Sequence, residues 1–328
     1  MPLEAASLPT VTIILPVRNE AAFIQRCLGA ILDQDYPPEC LNVLVADGQS
    51  DDDTVTIIEA MATNGRVKVI PNPARIQSAG LNLLIQQATG DYVIRVDGHT
   101  IIAPDYVRQC VIALQETGAW NVGGAMDPVG ITHVGRAIAA AGKSAFAVPT
   151  AFHVSRTPTY TDTVYLGAWP RWVFDRVGSY REDFVANEDY ELNVRIRAAG
   201  GKIYFTPRIR SVYYGRQTLG ALWRQYHRYG QSKVRTLREH PQSLRLRHLA
   251  APLFVAGLLI GLPLAALHPV FAGLYAAGLA AYTALNLAFS VRVASRAGWE
   301  LLPLLPLVFL TIHLAWGSGF WRGVLSQR

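Results

Sequence analysis

The sequence predicts an α/β fold: a Rossmann-like, mostly parallel sheet within residues 1–215, a basic interfacial helix region at 216–248, and C-terminal transmembrane helices within 249–328. Three observations lead there. From Val11 to Gly98, short β-branched runs alternate with helix-length amphipathic stretches, which is the pattern of βαβ units. The early strands end in polar residues, and beyond His248 two long stretches carry no charge.

Strands are read at 11–17, 42–47, 67–71 and 92–97, with helices between them at about 20–33, 52–62 and 76–88. Gly90 suits the end of the third helix. Ligands of open parallel sheets bind beyond the carboxyl ends of the strands. Here those ends carry Arg18, Asn19 and Glu20, then Asp47, then Asn72, then Asp97 and His99. After His99 the periodicity loosens, with helices expected over about 131–148 and 188–199 and short strands at 202–206 and 210–214. A helix at about 218–239 mixes Trp223, Tyr226 and Tyr229 with Arg224, Arg228, Lys233, Arg235 and Arg238, a composition suited to the membrane interface.

The 328 residues carry a net charge of +6, and its distribution matters more than its size. Residues 208–247 hold ten Lys or Arg against Glu239 alone, whereas residues 1–207 sum to −6. The basicity is therefore a local collar in front of an apolar tail, which points to anionic lipid headgroups rather than to nucleic acid. Residues 249–267 and 270–289 are free of charge, and each is long enough to cross a hydrocarbon core of about 30 Å. A third apolar run, from 301 to about 316, is shorter and contains Pro303 and Pro306; it either spans or lies re-entrant or interfacial. The positive-inside rule puts the collar and Arg292/Arg296 on the cytosolic side. Because the run 11–17 is too short for a secretory core, the N-terminal part is expected in the cytosol of a cell whose inner membrane holds the tail. Cys27, Cys40 and Cys110 form no C-x-x-C pair, so neither a disulfide framework nor a zinc site is indicated.

The first strand turn has no glycine, and no G-x-x-x-x-G-K motif occurs, which removes the dinucleotide and P-loop readings. An Asp at position 47 can accept hydrogen bonds from a base imide or from ribose, or can simply hold its own turn beside Ser50 and Asp51. Asp97 and His99, separated by Gly98, offer an oxygen and an imidazole to one divalent metal, Mn²⁺ or Mg²⁺. Asn187-Glu188-Asp189-Tyr190-Glu191 opens a helix with three acids. Dipole complementarity accounts for one of them, and one could serve as a general base toward a hydroxyl.

In order and spacing, VTIILPVRNE, ADGQSDD, VIRVDGH, NEDYEL and Gln225-Tyr226-His227-Arg228-Tyr229 resemble the motifs of family 2 glycosyltransferases of the GT-A fold over roughly residues 10–230. With its apolar tail, the chain is similar to the succinoglycan-type exopolysaccharide enzymes that act on polyprenyl-linked intermediates. That resemblance implies an inverting hexosyltransferase with a nucleotide-sugar donor, a UDP-sugar, and a lipid-linked saccharide acceptor. It assigns Pro16, Arg18 and Glu20 to the donor turn, Asp47 to the base, and Arg75 to the diphosphate or base. Asp97 goes to the donor and, with His99, to the metal. Asp189 is the implied general base, with Glu188 orienting it or meeting the acceptor, and Gln225, Arg228 and Tyr229 serve the acceptor or diphosphate. His99 stands where Asp is usual, and Tyr229 where Trp is usual. A polyprenyl-phosphate glycosyl synthase, a processive polysaccharide synthase and a non-catalytic assembly subunit are the competing readings. The pattern specifies no oligomeric state.

Overall fold

The computed structural model describes residues 8–62, 65–147, 155–184 and 187–326. Strand β1 (Val11–Val17) is buried at every position, because parallel neighbours flank it on both sides: β2 (Leu41–Asp47) and β4 (Tyr92–Arg95). β3 (Val67–Pro71) adds outside β2, also parallel. The intervening helices are α1 (Ile24–Leu32), α2 (Thr54–Met61) and α3 (Gln77–Gln87). Alternate residues of β1 serve two cores. Val11, Ile13, Leu15 and Val17 pack with Ile24, Leu28 and Ile58, whereas Ile14 packs with Leu81, Leu84 and Ile85. A strand buried on both faces reads as a continuous apolar run, which is why its limits are plain in the sequence. The order β3-β2-β1-β4 means that the chain winds outward from β1 and then returns to its other edge. The crevice at such a reversal, outside the carboxyl ends of β1 and β4, is where open sheets place ligands.

Parallel pairing is confined to this first half, so the sheet is mixed. β8 (Tyr165–Pro170) runs antiparallel to β4, and β6 (Asn121–Val129) antiparallel to β8. The 12-residue β9 (Ile203–Tyr214) follows, with β5 (Thr100–Ile102) and β7 (Thr159–Tyr160) antiparallel to it. The two strands expected at 202–206 and 210–214 are thus one. Pro207 falls between the stretch that pairs with β7 and the stretch that pairs with β5. Strand β4 stops at Arg95, two residues sooner than expected, since the chain turns there and Thr100 N donates to Asp97 O at 2.9 Å. Helices α4 (Tyr106–Thr117), α6 (Trp172–Val177) and α7 (Glu188–Ala198) complete this part of the chain.

The chain divides into two compact units, Met1–Asp127 with Thr150–Tyr213, and Pro128–Pro149 with Tyr214–Arg328. The second contains α5 (His133–Gly142), α8 (Leu219–Glu239), α9 (Ala250–Leu267), α10 (Pro269–Ala297) and α11 (Leu305–Leu325). Residues 130–147 therefore group with the C-terminal helices, not with the sheet. The reason is apolar: Ala137, Ile138 and Ala141 of α5 share one cluster with Leu222, Leu305, Val308, Phe309 and Ile312. α5 is shorter than the expected 131–148. Thr132 Oγ1 caps it by accepting from Gly135 N at 2.9 Å, and the chain leaves the helix at Lys143 to insert Phe146 against Phe289, Phe309 and His313. The last residue of the expected span, 148, lies outside the described residues.

Two helices, Leu246–Leu267 and Pro269–Ala297, are long and apolar enough to cross a membrane. Only 11% and 6% of their apolar windows are buried within the chain, which argues against core helices of a water-soluble domain. α11 behaves differently. Pro306 falls in its first turn, where a missing N–H costs nothing, so the prolines start this helix rather than interrupt it. One face of α11 is buried, and Arg238 of α8 closes its end by donating to the Gly323 and Val324 carbonyls at 2.9 Å.

Candidate active site

The turns after β1 and β2 are fastened to each other by backbone N–H groups, which donate to one carbonyl and three side-chain oxygens. Gly48 N donates to Val17 O at 2.9 Å, Asn19 N to Ser50 Oγ at 3.0 Å, Asp51 N to Asn19 Oδ1 at 3.0 Å, and Glu20 N to Thr54 Oγ1 at 2.8 Å. Asn19, Gln49, Arg75 and Asn187 hold φ of 56°, 57°, 60° and 62°. These left-handed conformations follow β1, β2 and β3 and precede α7. Each costs a non-glycine residue on the order of 1–3 kcal/mol, and such strain concentrates at functional sites. Arg75 Nε bonds Gln49 Oε1, so the turn after β3 is also tied to the turn after β2.

The residues singled out in the sequence fall into different roles here. Pro16 is buried in β1 opposite Ala46, and Arg18 is exposed just beyond the strand. Asp47 accepts from Ser50 Oγ at 2.6 Å and from Ser50 N at 3.2 Å, so its carboxylate shapes its own turn. At the reversal crevice Glu20 and His99 meet, with Nδ1 to Oε1 at 2.8 Å. Gly98 permits this contact, because a Cβ at that position would press into the Glu20 side chain. His99 also meets the Tyr213 ring edge-on at 5.2 Å.

Asp97 faces a different partner. Arg95 Nε donates to its Oδ1 at 2.8 Å and Nη2 to its Oδ2 at 3.3 Å, while Gln77 Nε2 adds a bond to Oδ1 at 3.2 Å. The third guanidinium nitrogen, Nη1, reaches Glu188 Oε1 at 3.4 Å, and the Tyr180 ring lies 5.9 Å from the guanidinium carbon. Side-chain exposure is 7% for Arg95, 13% for Asp97 and 9% for Glu188, so little water screens these charges. One guanidinium therefore links the end of β4 to the first turn of α7. Asp189 follows directly, its Oδ1 accepting from Tyr190 N at 2.7 Å. The third acid of the turn, Glu191, is wholly buried and paired with Arg195 at 2.7 Å, and Arg195 binds the Val177, Gly178 and Ser179 carbonyls. That pair anchors the helix and leaves Glu188 and Asp189 for chemistry.

Burial, with the neighbouring charge of Asp189, pushes the Glu188 carboxyl up to about 7, against the pull of Arg95. The Asp189 carboxyl is raised as well, first by burial and then by the charge of Asp97, and Arg95 again opposes. Two adjacent carboxyls of this kind titrate as a pair.

Among the described residues no group of three or more His, Cys, Asp or Glu is placed to hold a metal. The donor set at hand is Asp97 and His99, with His99 oriented through its Nδ1 by Glu20. A carboxylate behind a ligating imidazole is the usual supporting arrangement. Such a short set fits an ion whose remaining ligands are phosphate oxygens and water, and it does not suit a permanently bound ion. In the second unit, Gln225 Nε2 donates to the Tyr229 hydroxyl at 2.9 Å, one turn along α8, and Arg228 is exposed on the same helix.

Arg95, Gln77 and Tyr180 were not among the sequence candidates. Arg95 did leave a signal, being the lone charge in an otherwise apolar strand. Gln77 and Tyr180 left none, because their approach depends on tertiary folding.

The model of glycosyl transferase family 2 matches residues 12–139, and that of glycosyl transferase family group 2 matches residues 92–317. The succinoglycan biosynthesis protein ExoA of Rhizobium meliloti (strain 1021) is 32% identical, covering 96% of this chain and 95% of its own length. The dolichyl N-acetyl-alpha-D-glucosaminyl phosphate 3-beta-D-2,3-diacetamido-2,3-dideoxy-beta-D-glucuronosyltransferase of Methanococcus voltae is 25% identical, covering 96% and 97%. Among solved structures, the mannosyltransferase PcManGT from Pyrobaculum calidifontis, in complex with GDP-Man and Mn²⁺, superposes with a TM-score of 0.62 at 19% identity. That match covers 98% of this chain and 88% of the other.

Proposed function

The chain belongs to glycosyl transferase family 2 and has the GT-A fold, and from that premise we propose that it is an inverting, metal-dependent hexosyltransferase. Its donor is a nucleoside-diphosphate sugar, a UDP-sugar. Its acceptor is a hydroxyl of a lipid-linked saccharide in cell-surface or exopolysaccharide assembly. The observation that carries this reading is the single buried guanidinium joining Asp97, at the reversal crevice, to the acidic first turn of α7.

In this mechanism Asp189 accepts the proton of the acceptor hydroxyl as that oxygen attacks the anomeric carbon from the side opposite the diphosphate. A carboxyl raised toward neutral pH is a better proton acceptor than an ordinary aspartate, which is ionised but weakly basic. Glu188 orients the acceptor or its neighbour Asp189. Asp47 and Arg75 receive the base or diphosphate, Pro16 and Arg18 shape the donor turn, and Glu20 serves the nucleoside while holding His99. Asp97 and His99 would hold Mn²⁺ or Mg²⁺, which supplies positive charge toward the departing diphosphate. The family pattern assigns Gln225, Arg228 and Tyr229 to the acceptor or diphosphate.

The domain assignment follows the same reading: a catalytic domain within 1–215, an interfacial basic region at 216–248 and a membrane anchor at 249–328. In this reading the chain is a multi-pass protein of the cell inner membrane, with the catalytic domain on the cytosolic side. The two apolar helices support the anchor, and the names of the two relatives support a lipid-linked saccharide of the cell surface.

Membranes containing the full chain, incubated with a panel of labelled nucleotide sugars and extracted into organic solvent, test this function. One donor is expected to label the lipid fraction with a single added sugar. Label that stays in the aqueous phase for every donor overturns the acceptor assignment. A long labelled polymer would instead favour a processive synthase.

A further inference from the structure

We infer that Arg95 is a positioning residue: it fixes the donor-side carboxylate of Asp97 and the acceptor-side turn of Glu188 and Asp189 at one spacing. The inference rests on the function proposed above and goes beyond it, because Arg95 is assigned to neither donor nor acceptor.

The geometry separates this role from ordinary core packing. Arg95 sits in the last position of a strand flanked on both sides, parallel to β1 and antiparallel to β8, where an apolar side chain would otherwise be expected. Each of its three nitrogens is engaged, with Nε and Nη2 on the two oxygens of Asp97 and Nη1 on Glu188. The two carboxylates are 91 residues apart in sequence, and neither belongs to the same secondary element as the other. Only a planar group with donors on two edges can hold both at once. Tyr180 closes the remaining side, and its own loop is pinned by Asn82, whose side chain donates to Tyr180 O at 2.8 Å and accepts from Tyr180 N at 2.9 Å.

Charge gives the second half of the role. The groups facing Glu188 are Arg95 and Asp97 from β4 and its exit, Tyr180 from the segment after α6, and Asp189 on α7 itself. Among these side chains only Arg95 is positive. Burial and the neighbouring acids raise the Glu188 carboxyl, and Arg95 opposes them. An opposite charge at this range moves a carboxyl by about 1–3 pH units. Without Arg95 the pair would therefore stay protonated to higher pH.

The test compares full-length wild type with Arg95→Met and Arg95→Lys in detergent, by two readouts. The first is the acid limb of the kcat/KM–pH profile for sugar transfer. It is expected to move up by about 1 unit or more in Arg95→Met and to return most of the way in Arg95→Lys, which keeps one charge but loses the fork. The second is the melting temperature between pH 5 and pH 9, which requires no turnover. A raised carboxyl destabilises the folded state progressively as pH climbs from its unfolded value to its folded one. Wild type should level off near pH 7, where Glu188 titrates, while Arg95→Met continues to lose stability above it. The gap between the two should therefore widen with pH.

A limb that stays in place, together with a pH-independent melting gap, overturns the inference and reduces Arg95 to packing. Should Arg95→Met not fold, Arg95→Lys decides alone: a shifted limb or a pH-dependent gap of reduced size supports the role, and neither overturns it. If wild type transfers no sugar from any donor yet the gap widens, the proposed function fails while the electrostatic role of Arg95 stands.

Discussion

Replacing Asp189 with asparagine is expected to lower kcat by about 10²–10⁴-fold, the range for loss of a general base, with donor affinity changed by no more than a few-fold. The expectation follows from position. Asp189 opens α7 beside Glu188, its side chain accepts from Tyr190 N, and no described ion pair uses it. Asparagine preserves that backbone bond and the size of the side chain, so the loss reports on proton acceptance alone. The pH dependence has a definite sign. The carboxyl must be ionised to act, and its raised pKa places the fall in activity on the acid side at higher pH than an ordinary carboxylate would give. The direction follows from burial, which raises the Asp189 carboxyl against the pull of Arg95. Steady-state kinetics across pH 5–9, with calorimetric titration of the nucleotide sugar, measure both halves. Equal turnover by Asp189→Asn would remove this residue from the role.

Asp97→Ala is expected to abolish measurable donor binding and also to destabilise the fold. Removing one partner of a buried ion pair costs up to about 3–5 kcal/mol, and Arg95 would keep only its longer contact to Glu188. Arg95 and Asp97 are 7% and 13% exposed, so solvent offers little relief. Asp97→Asn separates the two effects. Its amide oxygen still accepts from Arg95, so most of the melting temperature should return. Its lost charge should still leave nucleotide affinity in the presence of Mn²⁺ strongly reduced. Should Asp97→Asn bind donor as wild type does, Asp97 would be a structural partner of Arg95 and nothing more.

How much of this was legible in the sequence depended on how local each feature is. The first strand was readable to the residue because burial on both faces makes 11–17 one apolar run bounded by Arg18. The helix at 219–239 was readable for a similar reason, its aromatic and basic residues alternating over six turns. Of the antiparallel half only β9 was, and as two short strands. The partners of β5 and β7 lie along β9, more than forty residues away, and two- or three-residue strands carry no period of their own. α5 was read as a longer helix because its alanines continue to Ala147, yet the chain exits at Lys143 so that Phe146 can enter the aromatic cluster. In the site, the sequence picked out the acids but not the use of each. Glu191 looked equivalent to Glu188 and Asp189 until its pairing with Arg195 appeared. Asp97 and His99 read as a donor pair for one ion, but that Arg95 braces the first and Glu20 the second was not legible.

Central to this account is a direct displacement at the anomeric carbon, with Asp189 taking the acceptor proton. The anomeric configuration of the newly formed linkage tests it most directly, by NMR of the lipid-linked product after release of the saccharide. An α-linked nucleotide-sugar donor should yield a β-linked product. An α-linked product would mean retention, and that result would contradict the mechanism.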